Sequence, residues 1–138
     1  MGTPGLREKL QEITNNENSD YQFTKFLNGE GIILPLTHVL EAHKKFLKEN
    51  GFDGSLYVKI KGKNCWRKNM VVDTPAFLEQ ITANGLSPML REGFEFPRNP
   101  PKAMIYDLDT YTPSVLGALI LMEFGIFRGT AASCISQI

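Results

Sequence analysis

The residues with the clearest capacity for chemistry form one basic and aromatic stretch in the middle of the chain. No acidic residue lies between Asp53 and Asp73, whereas this interval contains five cationic and two aromatic residues. Cations displace the counterions condensed on a nucleic-acid backbone, and aromatic rings stack on exposed bases. We therefore expect a binding surface for RNA, DNA or another polyanion in this stretch. Its candidate residues are Tyr57, Lys59, Lys61, Lys63, Trp66, Arg67 and Lys68.

The same stretch has the residue pattern of a β-hairpin. Apolar and polar residues alternate from residue 56 to residue 61, which places Tyr57, Lys59 and Lys61 together on one face. Gly62-Lys63-Asn64 is a turn signal, and residues 65–72 then return as a second strand. The sequence therefore predicts a hairpin over Leu56–Val72. The alternative interpretation is a solvated outer face without a ligand, because lysines on an edge strand discourage strands of different molecules from pairing. The sequence leaves both the binding surface and the solvated face open.

A second candidate site is an acidic pair that follows an apolar strand. Met104–Tyr106 leads into Asp107 and Asp109, and alternation puts both carboxylates on one side, where Mg²⁺ could bridge them. The pattern resembles the strand and Asp-x-Asp that open the haloacid-dehalogenase phosphatases, which would imply metal-assisted catalysis. It departs from that family because Thr110-Tyr111 replaces the expected Gly-Thr, and too little chain follows to complete such a site. The alternative is that both aspartates shape a turn and help to cap the next helix.

A third candidate is a protein contact formed by the Phe- and Pro-rich segment 94–101. Exposed phenylalanine beside proline is typical of a surface that has a partner. Such a segment would make the chain a protein–protein interaction module, and self-association is one form of that function.

The histidines and cysteines give no catalytic constellation. His38 and His43 are five residues apart in one helix, so they lie on different faces and do not form an i, i+4 metal pair. His43 falls on an apolar stripe, and we expect it at the core or its boundary. Cys65 follows a turn among cations, a setting that lowers a thiol pKa and favours reactivity, but no base is evident beside it. We therefore expect no catalytic residue, metal or cofactor, and a binding domain rather than an enzyme.

Composition indicates one ordinary globular domain over residues 1–138. The chain is 42% apolar and has a formal net charge of zero, so it is neither disordered nor uniformly basic. The longest apolar run, Val115–Met122, is far shorter than the about 20 residues that a membrane-spanning helix needs. Two widely spaced cysteines without a secretory signal indicate free thiols in a reducing compartment. We expect a soluble intracellular protein, cytoplasmic or nuclear, without membrane contact.

A small set of helices and strands must position these residues. Apolar spacing and capping residues predict helices over residues 6–13, 21–27, 37–50, 75–84 and 112–124. A short buried strand is predicted at 103–106, residues 86–102 are expected to be irregular, and 129–138 has no clear pattern. Because strands and helices do not alternate regularly, we expect an α+β fold. It has N-terminal helices, a central basic β-hairpin, and a C-terminal strand followed by a buried helix.

The beginning of the last predicted helix is similar to a C-terminal segment of the phosphoglucose isomerases. The similarity lies in Thr112–Ile120 with Glu123, Ile126-Phe127 and Gly129, and Asn99-Pro100-Pro101 adds to it. The chain departs from that family by a gap inside the helix and by the absence of the Asp-Gln stretch that should follow. The two sugar-binding halves of such an isomerase do not fit in this length, so no activity and no catalytic residue is carried over.

Overall fold

The computed structural model describes residues 2–15, 25–96, 104–107 and 112–138. Within these ranges the α+β class is confirmed, with five helices and six short strands. The helices are α1 (Leu6–Thr14), α2 (Gly29–Glu49), α3 (Pro75–Asn84), α4 (Pro113–Glu123) and α5 (Arg128–Gln137). The strands are β1 (Lys25–Asn28), β2 (Ser55–Val58), β3 (Ile60–Gly62), β4 (Lys68–Val71), β5 (Phe94–Phe96) and β6 (Met104–Asp107). No helix within the described ranges is long and apolar enough to cross a membrane.

The strands pair in three two-stranded units. β1 pairs with β4 in parallel, whereas β2 pairs with β6 and β3 with β5 in antiparallel fashion. Since only Lys59 separates β2 from β3, the stretch 55–62 runs along partners that come from residues 94–107. The neighbours of the basic stretch are therefore distant in sequence.

The hairpin predicted over Leu56–Val72 is wrong. β2 and β3 do not pair with β4, which instead lies beside β1. Two consecutive residues of β4, Asn69 and Met70, are both buried, and a strand covered on both faces is typical of parallel pairing in a core. The residues before β4 redirect the chain, because Asn64 and Arg67 both have φ of 58°.

The hydrophobic core lies among the helices and β4. Phe77 of α3, Ile33 of α2, and Leu116 and Leu121 of α4 are almost completely buried. Gly117 allows α2 and α4 to approach closely, since a Cβ at this position would lie 2.9 Å from Cγ2 of Ile33. The buried helix predicted after Thr112-Pro113 is thus confirmed as α4.

The capping residues of α3 explain why its boundaries could be predicted. Thr74 accepts a hydrogen bond from the Phe77 N–H at 3.2 Å, and Pro75 occupies the first turn, where its missing N–H costs nothing. The helix ends at Asn84, and Gly85 follows with φ of 72°, a conformation that favours glycine.

The helix predicted over residues 6–13 is confirmed as α1, whereas the next two helix predictions need correction. Lys25–Asn28 forms β1 rather than the end of a helix over 21–27, and residues 21–24 lie outside the described ranges. α2 begins at Gly29 instead of Thr37, because the Asn28 side chain accepts from the Gly31 N–H at 3.2 Å and caps it. Pro35 lies inside α2, and this helix breaker is the reason that sequence patterning places the start too late.

Candidate nucleic-acid interface

Burial alternates along the basic stretch as predicted, and the exposed residues Tyr57, Lys59 and Lys61 are here called the strand face. Leu56, Val58 and Ile60 are half-buried, whereas Tyr57, Lys59 and Lys61 are exposed. This follows from the pleat of a β-strand, which points successive side chains to opposite sides. The tyrosine ring is 73% exposed, so it is available to a ligand rather than used in the core.

A carboxylate that the sequence analysis missed lies on this face. Glu95 is directly opposite Lys61 in the β3–β5 pairing, and its Oε1 is 3.7 Å from the Lys61 Nζ. The same oxygen forms an ion pair with Lys59. The hydrogen bond from Lys59 has the largest effect and lowers the pKa of the Glu95 carboxyl. Desolvation opposes it, and attraction to both lysines lowers the pKa further. The alternation Phe94-Glu95-Phe96 was the available signal of a strand with an outward acid.

Residues 63–68, here called the Trp66 turn, form a compact structure. The Lys68 N–H donates to the Cys65 carbonyl at 3.0 Å, which closes the turn. Its backbone is also bonded to the segment 89–92. The hydrogen bonds are Cys65 N–H to Glu92 O at 2.8 Å, Arg67 N–H to Met89 O at 2.7 Å, and Met89 N–H to Lys68 O at 3.0 Å. The turn is therefore held by a neighbouring segment and not by a returning strand.

The Trp66 turn presents an aromatic ring among cations. Trp66 is 47% exposed, and Lys63 is exposed while Arg67 and Lys68 are half-buried. None of these three cations forms an ion pair with a carboxylate in the described part of the chain. Leu90, on the segment to which the turn is bonded, is 67% exposed and adds apolar surface. The sequence predicted Trp66 as an exposed-ring candidate but gave no indication of Leu90.

Cys65 is a buried residue of this turn, and its thiol pKa is raised rather than lowered as its charged neighbours alone would lead one to expect. Burial raises the pKa of its thiol, and this exceeds the lowering by Lys68 and Arg91, while Glu92 raises the pKa further. The Cys65 Sγ is 3.5 Å from the Lys63 carbonyl oxygen, to which it donates. Cys65 is therefore a structural residue of the turn, and it is free of any disulfide, as is the buried Cys134.

An ion pair fastens the segment 89–92 to the core. The Arg91 Nη2 is 2.9 Å from the Glu123 Oε2, and the Glu123 side chain is only 6% exposed. Glu123 is the last residue of α4, where the negative end of the helix dipole disfavours a carboxylate unless a cation is close. Arg91 therefore links the support of the Trp66 turn to a buried helix.

The acidic pair and the segment 94–101, the two other predicted sites, lie only partly within the described ranges. Asp107 is the last residue of β6, opposite Ser55, while Asp109 lies outside the described ranges. Within those ranges no three His, Cys, Asp or Glu side chains are grouped as metal ligands. In the segment 94–101, Phe94 packs edge-on against Phe124 with ring centroids 5.7 Å apart, and residues 97–101 lie outside the described ranges.

The apolar stripe predicted on α2 is only partly buried. His43 is exposed rather than part of the core or its boundary, and Val39 and Phe46 are 66% and 60% exposed. The buried residues of α2, Gly29 and Ile33, lie near its N-terminal end and precede the predicted stripe. The prediction for His43 is therefore wrong.

Comparison with known proteins gives no match, since no family model, curated protein or solved structure corresponds to this chain. The function must therefore be argued from the exposed groups themselves.

Proposed function

We propose that the protein is a non-enzymatic binding domain that contacts nucleic acid through the Trp66 turn. The observation that carries this proposal is the half-exposed Trp66 ring beside Lys63, Arg67 and Lys68, none of which is paired with a carboxylate in the described ranges. A base stacked on an exposed ring contributes about 1–3 kcal/mol in single-strand binding proteins. The cations gain affinity by releasing counterions from the phosphates.

The backbone of the turn supports this assignment. Asn64 and Arg67 both have φ of 58°, in the left-handed region. Asparagine adopts this region readily, but for a long side chain such as that of Arg67 it costs about 1–2 kcal/mol. Such residues persist where the surroundings hold them, and they are concentrated at binding sites. Here the hydrogen bond from the Arg67 N–H to the Met89 carbonyl holds the backbone of the turn, which fixes the positions from which the ring and the cations project.

Nucleic acid is favoured over the two other candidates by specific contacts. Phe94 is engaged with Phe124, which removes one of the two aromatic rings from the predicted protein contact at 94–101. For the acidic pair, Asp109 lies outside the described residues, so no observation supports a metal site there. The Trp66 turn, in contrast, combines both groups that a single-stranded ligand requires, a stacking ring and phosphate-binding cations.

The proposal is tested by fluorescence anisotropy with labelled single-stranded RNA and DNA at about 50 mM and 200 mM salt. The variant Lys63→Glu/Arg67→Glu should weaken binding by at least about tenfold, because two cations at the site become anions. A matched control is Lys9→Glu/Lys45→Glu, which makes the same charge change on α1 and α2, where the lysines pair with Glu12 and Glu49. Equal losses in both variants, or no binding by the unmodified protein, would contradict the proposal.

A further inference from the structure

The Glu95 carboxylate is ion-paired with both lysines that precede the Trp66 turn on the strand face. It contacts both lysines of the strand face, and its side chain is 46% exposed, with Lys59 and Lys61 at 32% and 59%. All three groups can therefore be reached by a ligand from solvent. An exposed ion pair is weak, because water screens it and two long side chains must be ordered to form it.

This strand face continues directly from the Trp66 turn. Lys61 lies in β3, and Lys59 and Lys63 are the alternate residues just beyond the two ends of this strand. Alternate residues of a strand are about 6.6 Å apart, which is similar to the distance between consecutive phosphates of an extended single strand. A strand anchored at Trp66 can therefore run along these lysines.

We propose that Glu95 is an intramolecular competitor that holds Lys59 and Lys61 until the phosphate backbone of a single-stranded nucleic acid displaces it. The proposal rests on the function proposed above and adds the path of the ligand and its regulation. In the free protein the cations of the turn are available, whereas those of the strand face are neutralised in part. Short ligands use the turn alone, and longer strands compete with Glu95 for the two further lysines.

The variant Glu95→Gln tests this directly, because it removes the charge and keeps the size of the side chain. A plot of the logarithm of the binding constant against the logarithm of the salt concentration has a slope of about −0.7 for each phosphate that a single strand has neutralised. The three cations of the turn predict a slope of about −2. The same three together with Lys59 and Lys61 predict about −3.5. We expect Glu95→Gln to bind a long single strand about three- to tenfold more tightly at low salt, with the steeper slope. Glu41→Gln, an equal charge change at an exposed position of α2, should leave both unchanged.

Removal of the lysines completes the test. Lys59→Gln/Lys61→Gln should weaken long-strand binding only modestly in the unmodified protein, where both lysines must first be released from Glu95. In the Glu95→Gln background the same change should abolish the whole gain. If the unmodified protein binds and Glu95→Gln changes neither affinity nor slope, the competitor role is wrong while the proposed function stands. If neither protein binds RNA or DNA, both are wrong. A gain in Glu95→Gln that survives removal of both lysines would also overturn the competitor role.

Discussion

At the scale of single residues, Cys65 shows how burial outweighs nearby charge. Its thiol is 4% exposed, and its pKa is raised mainly by burial although Lys68 and Arg91 lie close. Cys134 is likewise buried, and burial raises its pKa more than the hydrogen bonds from Thr74 and Phe77 lower it. Neither residue has the accessible thiolate that thiol chemistry requires.

We therefore expect both thiols to react slowly with an aromatic disulfide reagent in the native protein near neutral pH, and rapidly after unfolding in urea. The raised pKa values also make the neutral thiols a source of stability. This contribution is complete below the ordinary thiol pKa of about 8.5 and is lost as the pH rises through the raised values. The free energy of unfolding should thus fall in alkaline solution. A native thiol that reacts as fast as free cysteine would contradict this account.

The Arg91–Glu123 pair is the residue-scale contact on which the support of the Trp66 turn depends. Arg91→Ala leaves the buried Glu123 carboxylate without this cation at the negative end of α4. We expect a loss of about 1–3 kcal/mol in the free energy of unfolding, measured in urea. Arg91→Ala/Glu123→Gln should recover part of the loss, because the carboxylate charge is then absent. An Arg91→Ala variant as stable as the unmodified protein would show that the pair has no structural role.

At the scale of elements, α2 differs most from its predicted role. Its apolar residues at 39, 40, 46 and 47 have the spacing of a core-facing helix, yet Val39 and Phe46 are largely exposed. The periodicity indicates which residues share a face, but it does not indicate whether another element covers that face. That information depends on long-range packing, which single-sequence patterns do not contain.

Because Phe46 is exposed and Phe77 is buried, we expect their replacement to change the free energy of unfolding by very different amounts. Phe46→Ser should change the free energy of unfolding by less than about 0.5 kcal/mol, because surface positions contribute little. Phe77→Ala should cost about 3–5 kcal/mol, because that ring is 2% exposed in the core. Denaturant unfolding of both variants measures the difference. A large loss for Phe46→Ser would mean that the second half of α2 is covered in solution.

The strands show the same limit of sequence reasoning. The alternation of β2 and β3 correctly predicted which side chains face outward, because it depends only on the local pleat. Their partners could not be predicted, since β5 and β6 follow more than 30 residues later in the chain. Glu95 was missed for this reason, although it changes the charge of the whole strand face.

At the scale of the whole molecule, local chemistry predicted the α+β class and, to within one residue, the boundaries of α1, α3 and α4. Thr74-Pro75 and Thr112-Pro113 begin α3 and α4, and Asn84-Gly85 ends α3. The helix α5 was not predicted, because its small and weakly apolar residues have no clear period. It is stabilised by tertiary packing, for Ala131 and Cys134 are completely buried.

The arrangement of these elements separates the core from the candidate interface. The helices bury the apolar side chains, while the Trp66 turn is held at the surface by the segment 89–92 and, through Arg91, by α4. Changes at Lys63, Trp66 or Arg67 should therefore alter binding far more than folding.

Trp66 is the single tryptophan of the chain, so its fluorescence reports on the proposed contact without any label. Titration with a short single-stranded oligonucleotide at about 50 mM salt should quench this fluorescence, because a base stacks on the ring. The effect should weaken strongly at about 200 mM salt. Heparin, a polyanion without bases, should compete for the cations but should not reproduce the quenching. Binding of the oligonucleotide without any change in Trp66 fluorescence, or no binding at low salt, would contradict the claim that this turn is a nucleic-acid interface.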